Sequence, residues 1–106
     1  GEAFWSRPES ELDQLGESWL VTEFECSTDW PQWEMQPQGD EFVYLLSGEA
    51  SLILETGDGT TSVPLKQRAA FVVPRGVWHT AKVSAPSRML FVTRGAGTQH
   101  REHLAT

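Results

Sequence analysis

An acid and an imidazole stand in two separate stretches of the chain, Glu41 in "EFVYLLSG" and His79 in "PRGVWHTAKVS". Imidazole exchanges a proton near neutral pH, and both groups bind divalent metal ions. If the fold brings them together, we expect acid–base chemistry or a metal site. The alternatives are a structural glutamate–histidine pair, or two unrelated residues at the rim of the fold.

The direction of the His79 side chain follows from alternation, because successive side chains of a strand point to opposite faces. His79 shares one face with Ala81 and Val83, so we expect it to point into the core. The opposite face is polar and is expected to be solvated; it carries Thr80, Lys82 and Ser84.

Alternation does not decide the direction of Glu41, since both faces of its strand are largely apolar. Glu41 shares a face with Val43 and Leu45. An inner Glu41 has to be ion-paired, hydrogen-bonded or metal-bound, because burying a lone carboxylate is costly.

An inner Glu41 also turns an apolar stripe outward, made of Phe42, Tyr44 and Leu46. Such a stripe needs a cover. We therefore predict a homodimer, in which the cover is the N-terminal arm with Phe4 and Trp5, folded back from the same chain or from the partner.

Strand-like segments separated by turn signals make up most of the chain, which is typical of an all-β sandwich or barrel. Strands are expected at residues 19–26, 41–47, 50–55, 69–73, 78–84 and 88–93, with a tight turn at "GE" between the second and third. Residues 1–18 read as an arm and 95–106 as a loose tail. We predict one domain over residues 1–106, with its core at about 19–94.

The net charge, the lengths of the apolar runs and the cysteine count exclude several classes of protein. The net charge of −7 argues against nucleic acid or an anionic membrane as a partner. No apolar run approaches the ~20 residues of a membrane-spanning helix. The single cysteine, Cys26, forms no disulfide within the chain and is expected to be a buried, inert thiol. We expect a cytoplasmic protein.

Two motifs of this chain together resemble those of the cupin superfamily. The second cupin motif contains P-x-G-x-x-H, which "PRGVWH" matches at Pro74, Gly76 and His79. The first motif ends in a glutamate, six residues and a glycine, which Glu41 and Gly48 match. The resemblance covers roughly residues 19–94 and implies an all-β, jelly-roll β-barrel of the small cupin type.

The resemblance also implies a metal centre, from which this sequence departs. Cupins typically use three histidines and one glutamate, and the first motif opens with H-x-H. Here the positions of that histidine pair hold Glu34 and Gln36, so the set implied by the resemblance is Glu34, Gln36, Glu41 and His79.

This oxygen-rich set favours Mg²⁺, Mn²⁺ or Fe²⁺, with Zn²⁺ or Ni²⁺ as alternatives. Without an ion, the two glutamates repel and one holds its proton more strongly, so that Glu41 and His79 become catalytic acid–base residues. The resemblance implies a small-molecule enzyme of dioxygenase, isomerase or epimerase type. A non-catalytic binding or sensing module without metal is the alternative, and a structural dimer is a third.

Aromatic and histidine side chains near the motifs are further candidates. Trp33 and Trp78 precede Glu34 and His79 and are predicted to line the ligand pocket, although alternation turns them to the other face. His100 and His103 in "QHREH" have the spacing of a helical metal pair, but their place in a polar tail argues against that role.

Overall fold

The computed structural model describes residues 19–94 and 97–103, so the predicted arm at 1–18, with Phe4 and Trp5, lies outside the described residues. Every regular element within those ranges is a strand. The strands are β1 (Trp19–Cys26), β2 (Gln32–Met35), β3 (Glu41–Thr56), β4 (Gly59–Leu65), β5 (Ala70–Val73), β6 (His79–Arg94) and β7 (Gln99–Glu102). No helix suited to crossing a membrane occurs in the described part of the chain.

The two long strands, β3 and β6, pair antiparallel and organise the rest of the sheet. The first half of β3 pairs with β5, and its second half pairs with β4. Likewise, β1 pairs with the second half of β6, whereas β2 pairs with its start and carries β7 on its other edge. The antiparallel sheet curls in this way into a partly closed barrel, which confirms the predicted all-β, cupin-type fold.

Each long strand replaces two predicted strands, so the tight turn predicted at Gly48 and Glu49 is wrong. The pairing of β3 with β6 is shifted by bulges between Leu45 and Ala50 instead. Gly48 has a φ of 98°, and a Cβ atom there would lie 2.4 Å from the carbonyl oxygen of Pro86. A bulge with this close approach bends the strand and lets it continue.

The core lies on the inner face of the curled sheet. Its members are apolar and almost wholly removed from solvent, among them Val43, Leu45, Leu52, Ala81 and Met89. Burying one such aliphatic side chain contributes roughly 1.5–3 kcal/mol. Cys26 packs against this core, and burial raises the pKa of its thiol.

Residues 99–102 form strand β7, within the segment that the sequence predicted to be a loose tail. The same segment covers Thr80, which was predicted to be solvated because it shares a face with Lys82 and Ser84. Thr80 is instead 1% exposed. The Thr80 hydroxyl lies 3.0 Å from the carbonyl oxygen of Gln32 and 3.2 Å from Nε2 of His103. Contacts from the C-terminal segment therefore bury a residue that alternation placed on the solvent side.

Candidate functional site

Glu41 and His79 meet inside the barrel. Glu41 begins β3 and His79 begins β6, and their side chains point to the inner face, with 2% and 0% exposure. Nε2 of His79 lies 2.8 Å from Oε1 of Glu41. Alternation did not decide which face of its strand Glu41 occupies, and the structure places it on the inner face.

A backbone carbonyl sets the tautomer of His79. Nδ1 lies 3.1 Å from the carbonyl oxygen of Val77, which can only accept, so Nδ1 carries a proton and Nε2 faces Glu41. Burial lowers the pKa of His79, but the hydrogen bond and the charge of Glu41 raise it by more, so that the pKa lies above its usual 6.5. The imidazole therefore holds its second proton more firmly while it faces Glu41.

Glu34 completes a group of three side chains that could together hold a metal ion. It lies on β2 directly opposite His79, and one ligand atom from each of Glu34, Glu41 and His79 falls within 4.8 Å of the others. Burial raises the pKa of Glu34, and the charge of Glu41 adds to the shift, while His79 and His100 oppose it. Two carboxylates this close, one of them partly desolvated, form a site that a divalent cation would stabilise.

Gln36 contacts the same group as a hydrogen-bond donor. Its Nε2 donates to Oε2 of Glu41 over 3.4 Å, and its Oε1 accepts from the Thr98 hydroxyl over 2.9 Å. Coordination would require the amide oxygen, which Thr98 occupies in this arrangement. The predicted role of Gln36 as a metal ligand stays a prediction.

His100 approaches the site from β7, where sequence analysis gave it little weight. It stands opposite Glu34, and its Nε2 lies 3.3 Å from Oε1 of Glu34. The only sequence signal was the pair of histidines in "QHREH", because the pairing of β7 with β2 depends on residues far away in the chain. His103 points elsewhere and stacks on Trp33 with ring centroids 5.5 Å apart.

A cavity of about 410 Å³ opens beside the three side chains, within the range of small-molecule sites. Glu34, Gln36 and Glu41 line it, whereas His79 does not. The apolar wall comprises Leu20, Phe24, Trp30, Pro31 and Phe91. The remaining lining residues are Thr22, Gln32, Thr93, Thr98 and His100.

Trp33 and Trp78 are not among the residues that line this cavity, and their predicted contact with a ligand stays a prediction. Alternation turns both to the outer face, where the Arg101 guanidinium lies 5.5 Å from the Trp33 ring and 4.6 Å from the Trp78 ring. Among the tryptophans in the described ranges, Trp30 reaches the cavity. It also packs on Phe91, with ring centroids 5.4 Å apart.

The donor set fits a divalent ion. A histidine whose Nδ1–H is held by a backbone carbonyl presents Nε2, as metal-binding histidines do. The carboxylates of Glu34 and Glu41 balance a charge of +2, and oxygen with nitrogen donors suits manganese, iron or zinc.

Several solved structures resemble the chain in fold. It superposes on Fe(II)-HppE with the alternative substrate (S)-1-HPP at a TM-score of 0.62 and 20% identity, covering 72% of this chain and 42% of that one. The hydroxypropylphosphonic acid epoxidase from S. wedmorenis gives the same TM-score and identity, with 72% and 43% covered. This chain therefore spans about two fifths of the length of either.

A Streptomyces PAC13 variant with uridine superposes at a TM-score of 0.68 and 15% identity, covering 84% of this chain and 72% of that one. No curated protein matches the sequence. At these identities the structural likeness concerns the fold alone. The Cupin domain family model, however, matches residues 21–93. The chain therefore belongs to the cupin family.

Proposed function

We propose that this protein binds a divalent metal ion at Glu34, Glu41 and His79, and a small organic molecule in the adjoining cavity. The observation that carries the proposal is the convergence of three ligand atoms within 4.8 Å, two of them from residues that line a cavity of about 410 Å³. Iron(II) is among the ions to test, since HppE is described with Fe(II).

A bound ion would polarise an oxygen of the ligand and neutralise charge that develops on it. The protein's own residues hold and orient the reactants. In the metal-free arrangement, Glu41 lines the cavity and can exchange a proton with the ligand, and Nε2 of His79 can take up or return that proton through the 2.8 Å contact; a bound ion would take the place of that proton on Nε2. This chemistry suits an isomerase or epimerase, and a dioxygenase if the ion is iron.

The lining favours a ring-containing ligand without negative charge. Trp30 and Phe91 offer aromatic faces, and no Lys or Arg occurs among the described lining residues. Without an ion, the carboxylates of Glu34 and Glu41 would repel a phosphate or a carboxylate. PAC13 is described with uridine, so uridine is the first probe and uridine 5′-monophosphate its charged counterpart.

The experiment measures the metal content of the purified protein, followed by melting temperatures in chelator and in added Mn²⁺, Fe²⁺, Zn²⁺, Mg²⁺ and Ni²⁺. A ligand that binds only the folded state raises the melting temperature. We expect a rise with at least one ion, and tighter binding of uridine than of its monophosphate in chelator. Melting temperatures that no ion changes, with no ion in the purified protein, would falsify the metal site.

A binding or sensing module without metal is the second candidate, favoured by one observation. A continuous chain of hydrogen bonds satisfies the buried polar groups of the site without an ion. It runs from Thr98 through Gln36, Glu41 and His79 to the carbonyl of Val77. This candidate predicts ligand binding that chelator leaves unchanged.

The homodimer and the cytoplasmic location remain proposals. An apolar row crosses the outer face of four paired strands, from Val72 through Phe42 and Val92 to Val21. Phe42 and Val72 are 36% and 49% exposed. We propose that a second copy of the chain covers this row.

A further inference from the structure

The segment from Thr98 to His100 contacts Glu34 of the candidate metal site directly and Glu41 through Gln36. The Thr98 hydroxyl donates to Oε1 of Gln36, and Nε2 of Gln36 donates to Oε2 of Glu41. Nε2 of His100 lies 3.3 Å from Oε1 of Glu34. Each acidic side chain is thus reached by one contact that originates in the segment predicted to be a loose tail.

Contacts on the opposite face hold this segment against the barrel. Alternation along β7 turns Arg101 outward when His100 points inward. The Arg101 guanidinium lies within 5.5 Å of the Trp33 and Trp78 rings and forms an ion pair with Glu55. A cation between two tryptophan rings and a carboxylate secures β7 far better than an exposed ion pair alone.

His100 does not itself belong to the group of three ligand atoms within 4.8 Å. Its contact goes to one of the two oxygens of the Glu34 carboxylate. Hydrogen bonds of this kind hold the orientation of metal-binding carboxylates and tune their affinity. The Thr98 hydroxyl holds the amide of Gln36, and that amide in turn holds the orientation of the Glu41 carboxylate.

We propose that Thr98 and His100 are positioning residues of the metal site, so that strand β7 and the residue preceding it complete the site. The inference rests on the proposed metal site at Glu34, Glu41 and His79. It assigns a role to a strand that belongs to neither cupin motif and lies beyond the matched residues 21–93.

The test compares metal affinity among variants of the full chain by titration calorimetry, with Zn²⁺ and Co²⁺ as probes. We expect His100→Ala to weaken binding by about 10–100-fold, as for other outer contacts of metal sites. Thr98→Val removes only the hydroxyl and should weaken binding in the same direction. Gln99→Ala is the matched control, because it lies between them on β7, is exposed and faces the other side.

A second readout separates positioning from a general loss of structure. The visible absorption bands of bound Co²⁺ should shift in His100→Ala, and His100→Gln should restore them in part, because the glutamine amide can donate to Glu34. Melting temperatures in chelator show whether each variant folds. Thr98→Val tests the proposal independently where His100→Ala fails to fold.

The outcomes distinguish this inference from the proposed function. One outcome would overturn the positioning role alone. In it, His100→Ala and Thr98→Val keep the metal affinity and the Co²⁺ spectrum of the unsubstituted protein, while His79→Ala loses the ion. An unsubstituted protein that binds neither Zn²⁺ nor Co²⁺ overturns the metal site and this inference with it.

Discussion

His79 and Glu41 form a buried pair in which Nε2 of the imidazole lies 2.8 Å from Oε1 of the carboxylate. The exposed fractions of the two side chains are 0% and 3%. Nε2 of His79 and Oε1 of Glu41 satisfy each other, while the other polar atoms of the two side chains contact the Val77 carbonyl and Gln36. The pair therefore contributes to stability as well as to the proposed site.

Removing one partner should strongly destabilise the metal-free protein. In chelator we expect His79→Ala to lower the free energy of unfolding by about 3–5 kcal/mol, because Glu41 is left buried without its partner. Urea denaturation measures the change. Lys82→Ala, exposed on the same strand, is the control and should change stability by less than about 0.5 kcal/mol. A loss in His79→Ala no larger than in the control would contradict the pairing.

Metal should stabilise the unsubstituted protein but not the His79→Ala variant. An ion at a hundred times its dissociation constant adds about 2.7 kcal/mol to the folded state. We expect this gain to vanish in His79→Ala and to persist in His103→Ala, since His103 contacts Thr80 and Trp33 outside the site. Thermal melts with and without the ion measure it. An equal gain in both variants would place the ion elsewhere.

Stability in chelator should fall as the pH rises above about 4.5 and again above about 6.5. The pKa values of Glu34 and His79 both lie above those usual values in the folded state. The folded protein therefore holds more protons than the unfolded chain, and the stabilisation present at low pH is lost as the pH passes each raised pKa. Urea denaturation across this range measures the slope.

The variant His79→Gln should flatten the upper part of that pH dependence and leave the lower part. Metal binding should show the opposite trend, because protons compete with the ion for the same side chains, so affinity rises with pH. Stability in chelator that rises between pH 6.5 and 8 would show that His79 does not titrate with a raised pKa.

Gly48→Ala should destabilise the bend of β3. A side chain at a φ of 98° costs about 1–3 kcal/mol in strain, and the added Cβ would meet the Pro86 carbonyl at 2.4 Å. Gly57→Ala is the matched control, because a Cβ there meets nothing within 4 Å. Equal unfolding free energies for the two variants would count against the close approach at the bulge.

Phe42→Glu should convert the proposed dimer to a monomer. Phe42 lies in the middle of the apolar row, so a charge there would be buried in an interface without a partner. Sedimentation at micromolar concentration measures the mass, and Ser62→Glu, exposed on β4, is the control. A monomeric unsubstituted protein would point to a cover from the same chain instead.

The sequence by itself determined the strand-rich fold and the two residues at the centre of the site. Glu41 and His79 lie in motifs whose residues are close together along the chain, and alternation correctly placed His79, Ala81 and Val83 on one face. These features are local, since a turn, a motif or a two-residue period needs only neighbouring residues to be recognised.

Only the tertiary structure decided which residues surround that centre. Whether Gly48 marks a turn or a bulge depends on Pro86 and Ser87, which approach it from β6. Similarly, β7 is held in place by Arg101, whose guanidinium contacts the Trp33 and Trp78 rings and pairs with Glu55. All three partners are distant from Arg101 in sequence. That pairing carries His100 to Glu34 and buries Thr80. Such contacts leave no pattern along the chain, because their energy comes from surfaces that meet only after the sheet has curled.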